Sequence, residues 1–163
     1  MAAGSQFPRR NSPESMTSWI TSAVFLALLA ASGAAAQPAP LVVGAALPES
    51  GNLADLALGY RNALQLWQEQ VNAAGGLLGR PVELRLLDDR SEAVRDGPLY
   101  RQLIDENVDL LIGPYGSAAT LMAAAEAESA HRVLINGAGW SREVHKRLPR
   151  YIFQSPVPYG AYG

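Results

Sequence analysis

VNAAGGLLGRPVELRLLDD, residues 71–89, carries the transition on which the fold turns. It opens as the last turn of a helix and closes as a strand. Upstream of it, Tyr60, Ala63, Leu64, Trp67 and Val71 recur at helical spacing, which puts them on one face and leaves Arg61, Gln65, Gln68 and Glu69 largely outside. Gly75-Gly76 stops that helix, because glycine accepts the left-handed conformation of a C-terminal cap. Val82, Leu84 and Leu86 then alternate with Glu83 and Arg85, the period of a half-exposed strand at or near a sheet edge, and Asp88-Asp89-Arg90 ends it.

Outward from this stretch the same alternation repeats. Leu41 to Leu47 (LVVGAAL) is a short apolar run of the kind buried on both faces of a sheet, followed by the turn Pro48 to Asn52. A second helix is predicted between about Glu92 and Glu106; Gly97-Pro98 makes it start late or kink. Val108 to Ile112 reads as a third strand. Gly113-Pro114-Tyr115-Gly116 turns the chain into an alanine-rich helix over about Ala118 to Ala130, with Ser117 as its N-cap. Val133 to Ile135 is the fourth strand, and the loop Asn136 to Trp140 follows it. A short helix over about Arg142 to Arg147 is capped by Ser141, and Tyr151 to Gln154 is the fifth strand. The order βαβαβαβαβ predicts an α/β fold: a parallel, doubly wound sheet with helices on both faces, Rossmann-like in kind. Such sheets bind ligands at the carboxyl ends of their strands, where strand order reverses.

Composition narrows the function. The 163 residues hold 13 basic and 15 acidic side chains, a net charge of -2, which offers no basic surface for nucleic acid. The absence of cysteine removes thiol catalysis, disulfides and cysteine-held zinc. His131 and His145 have no supporting ligands nearby in sequence, and a structural or surface role suits them better than a metal. There is no nucleophile elbow and no phosphate loop, so neither a catalytic site nor a cofactor is predicted. Residues 1–36 read as an export signal. Arg9 and Arg10 supply the charge, Ile20 to Ala31 the apolar run, and Ala34-Ala35-Ala36 the small residues of a cleavage site before Gln37. The run is shorter than the roughly 20 residues of a spanning helix. Met16 is an alternative start.

Three strings resemble the leucine/isoleucine/valine-binding proteins, periplasmic solute-binding proteins of the first structural type. They are the proline turn with Ser50-Gly51 after the first strand, VNAAGGLLGRPVEL (Val71 to Leu84) and VDLLIGPYGSAAT (Val108 to Thr120); INGAGWS (Ile135 to Ser141) stands where that family has its next ligand loop. The resemblance implies an extracytoplasmic solute-binding component of an ABC importer for amino acids of the branched-chain type or related small molecules. Its partners would be the solute and the importer's membrane permease, and its location periplasmic or secreted. It also implies two α/β lobes with ligand between them. Residues 37–163 then correspond to an incomplete N-terminal lobe, with the second lobe absent and weak binding expected from one open face. A ligand-sensing domain of a receptor or of an amide- or amino-acid-responsive regulator is the competing reading.

The candidate ligand residues follow from these loops. Backbone N–H groups at Gly116 and Ser117, at a helix start, suit a carboxylate, and the family uses a serine matching Ser117; an ordinary turn with a capping serine is the other reading. In the second loop the family donates backbone at Ala138, beside Gly139, and a threonine-like hydroxyl where this chain has Trp140. Trp140 is either an aromatic wall for a larger ligand or packing at a lobe interface. The loop matches a dinucleotide-binding glycine pattern in its first half only. Ser50 and Gly51 are further candidates, although a turn requires such residues anyway. Asp88 and Asp89 read as solvated strand-end charges, with a cation seat as the alternative. The resemblance places the groups that neutralise a ligand's amino end largely in the second lobe. N-terminal sequencing of exported protein should begin at or near Gln37; an intact Met1 or Met16 on the exported chain would remove the signal reading.

Overall fold

The computed structural model describes residues 38–146 and 150–155. The export-signal stretch, residues 1–36, therefore lies outside the described residues, as do Arg147 and the chain after Ser155. Five strands form one parallel sheet: β1 (Leu41–Leu47), β2 (Val82–Asp88), β3 (Leu110–Ile112), β4 (Leu134–Asn136) and β5 (Ile152–Gln154), in the order β2-β1-β3-β4-β5. β2 is at the edge, as its alternating pattern predicts. The helices are α1 (Ala54–Ala73), α2 (Asp96–Asp105), α3 (Ser117–Ser129) and α4 (Arg142–Lys146), and a 3₁₀ turn, Ala93–Arg95, precedes α2. No described helix is long and apolar enough to cross a membrane.

The two faces of the sheet are covered differently. Tyr100 and Leu103 of α2 and Ala123 and Ala127 of α3 pack with Ala46, Leu111, Leu134 and Ile152 into one buried cluster. Alanine at every fourth position of α3 lets its backbone approach the sheet closely, and Ala119, Ala123 and Ala127 are all buried. On the opposite face α1 brings Trp67 and Val71 against Leu41, Val43 and Val82. This face is less fully covered: Ala57 is the only fully buried residue of α1, Ala63 is exposed, and Arg61 and Gln68 are half-buried. The helical stripe read from the sequence is therefore only partly the buried one. Gln68 and Asn72 hydrogen-bond Val82 instead, from Nε2 and Nδ2 to its carbonyl, and Asn72 Oδ1 accepts its N–H at 2.6 Å.

Gly97-Pro98 does not kink α2. The helix begins at Asp96, so Pro98 falls in the first turn, where a missing N–H costs nothing. Ser117 is the first helical residue of α3 and Gly116 is its N-cap, with φ 98° and ψ 150°. The predicted serine cap is thus displaced by one residue, because the turn needs a conformation that glycine adopts without strain. Ser141 does cap α4: its Oγ accepts the N–H of Val144 at 3.4 Å.

β1 and β3 pair only through Val43–Leu110 and Gly44–Leu111, and then part. The parting separates polar groups that a continued ladder would join. The buried Tyr100 hydroxyl stands between them, accepting from the Ala46 N–H at a long 3.5 Å and donating to the Ile112 carbonyl. From the other face the Tyr60 hydroxyl donates to the next carbonyl, Gly113, at 3.1 Å. Burial pushes the Tyr60 hydroxyl up to about 12 and that of Tyr100 well above the ordinary phenol, so both remain donors. Tyr100→Phe leaves the Ile112 carbonyl without its donor in a buried setting. A loss of about 1–3 kcal/mol is expected in urea denaturation; wild-type stability for Tyr100→Phe would show that the hydroxyl is dispensable.

Candidate functional site

The carboxyl ends of β1, β3 and β4 meet at this parting, and the loops that leave them are tied together by hydrogen bonds. Gly116 donates its N–H to the Ala138 carbonyl at 3.1 Å, and Ser141 donates its N–H to Ser117 Oγ at 3.0 Å. Gly116, Ser117, Ala138, Gly139 and Trp140 are thereby drawn into one locality. The Ser117 hydroxyl oxygen accepts from the Ser141 N–H. The N–H groups of Ser117, Ala118 and Ala119, in the first turn of α3, have no hydrogen-bond acceptor among the described residues. Two of the candidate backbone donors are already engaged, however. The Gly116 N–H is on Ala138, and the Ala138 N–H is on Asn136 Oδ1 at 3.2 Å.

Asn136 organises the second loop, a role its place in an Asn-Gly turn did not reveal. It is fully buried; its Oδ1 accepts from Ala138 and Gly139, and its Nδ2 donates to the Gly139 carbonyl at 2.8 Å and to Gln154 Oε1 at 2.6 Å. Gly139 must lack a side chain, since a Cβ there would lie 2.5 Å from Thr120 Oγ1. Thr120 is itself fixed by a 2.8 Å bond to the Gly116 carbonyl. Trp140 packs edge-on against Tyr115, with ring centroids 6.1 Å apart at 84°.

Ser50 and Gly51 belong to a different set of contacts. The Ser50 hydroxyl donates to Asp88 Oδ2 at 2.7 Å, and Asp88 Oδ1 accepts the N–H groups of Glu49, Ser50 and Arg90. Ser91 Oγ, donating to the Ser50 carbonyl, completes the link between the loops after β1 and β2. A Cβ on Gly51 would lie 2.6 Å from the Arg90 carbonyl, so its glycine is explained by packing. Desolvation raises Asp88, but these donors outweigh it and hold its carboxyl below the usual range.

A crevice of about 150 Å³ lies between the two sets of loops, lined by Leu53, Asp89 and Ser91 on one side and Tyr115, Gly116 and Ser117 on the other. Asp89 is not the solvated charge its sequence context suggests: it is 2% exposed. One carboxylate oxygen accepts the Ser91 N–H at 2.6 Å. Behind it Asp96 is fully buried, and neither carboxylate oxygen has a hydrogen-bond partner. Among the described residues no group of acids and histidines is arranged to hold a metal ion. His131 is exposed and packs edge-on against Tyr151, as a structural role predicts; the His145 side chain lies outside the described residues.

Residues 40–160 match the family model described as periplasmic binding protein. The chain belongs to that family. Among solved structures it is similar to the branched-chain amino-acid transporter substrate-binding protein LivJ from Streptococcus pneumoniae, in complex with isoleucine. The identity is 28% and the TM-score 0.68, over 73% of this chain and 34% of that one. It is also similar to a type 1 periplasmic binding protein from Bordetella pertussis, with 26% identity and a TM-score of 0.66 over 73% and 34% of the two chains. The leucine-binding protein LivK from Thermotoga maritima matches at 25% identity and a TM-score of 0.66, over 72% and 33%. The chain thus spans about a third of the length of the solved structures it matches. The expected family and fold are both found, and these neighbours are substrate-binding proteins rather than enzymes.

The buried acids give the site a measurable pH response. Burial, followed by the charge of Asp89, pushes the Asp96 carboxyl up to about 8. In the unfolded chain it ionises near pH 4. Between these values the folded state keeps a proton that the unfolded state has lost, so stability falls as pH rises from about 4 to about 8. Asp96→Asn removes this ionisation while keeping the shape. It should flatten the slope by an amount on the order of a few kcal/mol across the window. Urea denaturation at several pH values measures this, and equal slopes for wild type and Asp96→Asn would contradict it.

Proposed function

We propose that this chain carries a ligand-gripping lobe of an extracytoplasmic solute-binding component of an ABC importer. The solute is an amino acid of the branched-chain type or a related small molecule, and the macromolecular partner is the importer's membrane permease. Family membership supports the solute-binding role and a place outside the cytoplasm. The neighbour named as a branched-chain amino-acid transporter substrate-binding protein supports the solute class and the importer, and the one named as a leucine-binding protein supports the solute class.

The observation that carries the reading is the start of α3. Its first N–H groups are open, and the positive end of the helix dipole attracts an anion there. The Ser117 hydroxyl is steered by the Ser141 N–H, which occupies its acceptor side. A solute's carboxylate placed here receives donors that are already in position, so little ordering is required on binding. Ala138 and Gly139 shape the second loop, and their positions depend on Asn136 and Thr120. Trp140 packs edge-on against Tyr115, and Tyr115 is the aromatic residue that lines the crevice.

Ser117→Ala removes a hydrogen bond to a charged group, worth roughly 1.5–3 kcal/mol, and so should weaken leucine binding about tenfold or more. NMR titration following the amides of Ala118 and Ala119 reads affinity and place together. Unchanged affinity in Ser117→Ala would reduce Ser117 to a residue that only fixes the Ser141 loop.

A further inference from the structure

The crevice beside the start of α3 has a second charged wall. Asp89 lines it together with Ser117, and a buried carboxylate at a ligand site is costly unless something positive meets it. Local compensation is incomplete. Asp89 accepts one N–H, from Ser91, and Arg95 offsets part of its charge. No ion pair joins Arg95 to Asp89 or to Asp96 among the described residues, and Arg95 Nε is itself buried without a partner. Asp96 adds a second buried carboxyl whose oxygens have no partner at all. Asp88, the third acid of this region, is fully occupied by Ser50 and backbone N–H groups. The locality therefore has more buried acid than base, and Asp89 is the member that borders the crevice.

We propose that Asp89 seats the ammonium group of an α-amino acid whose carboxylate is held at the start of α3, so that this one lobe grips both charged ends of the zwitterion. The inference rests on the reading of α3 as the carboxylate site. It adds a first-lobe partner for the amino end, which the family resemblance assigns largely to the second lobe. An α-amino acid carries both charges on one small headgroup, and the residues for both line one crevice of about 150 Å³. The helix start with Ser117, and Asp89 with Ser91, all line the same crevice. Opposite charges on facing walls also fix the ligand's orientation, because a reversed headgroup would put carboxylate against carboxylate.

The test compares leucine with 4-methylpentanoate, which keeps the side chain and carboxylate and lacks the ammonium group. NMR titration of the full chain should show leucine binding about tenfold tighter or more, the worth of one charge-assisted hydrogen bond. Asp89→Asn, which keeps an oxygen for the Ser91 N–H, should abolish that preference while 4-methylpentanoate binding persists. Equal affinities in the wild type, with the Ser117 and Ala118 amides responding to both ligands, would overturn the inference and leave the carboxylate site standing. If those amides respond to neither ligand, the carboxylate site falls and the inference with it. Should Asp89→Asn fail to fold, the Asp89 carboxyl carbon resonance of the wild type decides: it must shift with leucine and stay still with 4-methylpentanoate.

Discussion

The parting of β1 from β3 is the constraint from which the rest of the structure follows. Parallel strands whose connections leave to opposite faces must separate at their carboxyl ends, and separation breaks a ladder inside the protein. Broken ladders strand polar groups, and stranded polar groups in a core are expensive. This chain meets that cost with two tyrosines. Tyr100 reaches in from α2 to bridge Ala46 and Ile112, and Tyr60 reaches in from α1 to Gly113. The two hydroxyls hold consecutive carbonyls at the end of β3 from opposite faces. The turn that follows, Gly113 to Gly116, is thus fixed before it launches α3, and the open N–H groups of that helix point from a rigid base.

Electrostatics divides the crevice into two unlike walls. On one side are backbone donors and the positive end of α3; on the other is a buried acid, with a second one behind it. Neither wall is neutralised by an ordinary salt bridge. The four described ion pairs join Arg80 to Asp109, Arg85 to Glu106, Arg101 to Glu126 and Lys146 to Glu143, all away from the crevice. These are partly or largely exposed pairs, each contributing little to stability. Burial pushes the Asp96 carboxyl up to about 8 and raises Asp89 as well, which limits the cost of holding two acids close together.

Periodicity made most of the fold legible. LVVGAAL could only be a doubly buried strand, Gly75-Gly76 could only end a helix, and the alternation of Val82, Leu84 and Leu86 placed β2 at an edge. The misreadings have one physical source: what a polar or flexible residue does depends on neighbours distant in sequence. Ser117 looks like a cap, yet the turn demands the positive φ of Gly116. Asp89 reads as a solvated strand-end charge, yet it is 2% exposed in the folded chain. Asn136 reads as a turn residue, whereas its side chain closes the turn from within. Tyr60 was legible as a face residue through its ring; its hydroxyl partner, more than fifty positions along the chain, was not.

The precision of the loop after β4 has to come from hydrogen bonds, because packing cannot supply it. β4 is covered by α3 on one face, where Leu134 is fully buried. On the other face Ile135 and its register partner Phe153 are 37% and 56% exposed, and no described element covers them. A strand supported on one side only would let the loop at its end drift, and a small drift is enough to spoil a hydrogen-bonded site. Asn136 answers this by binding its loop to β5 through Gln154, and the Gly116 and Ser141 N–H bonds fasten the same loop to α3. The loops after β3 and β4 share one network with α3 and β5, so neither depends on a filled core for its position. Gly139 is a tight point of that network, with Thr120 where any side chain would go, so the loop keeps this path only with glycine there.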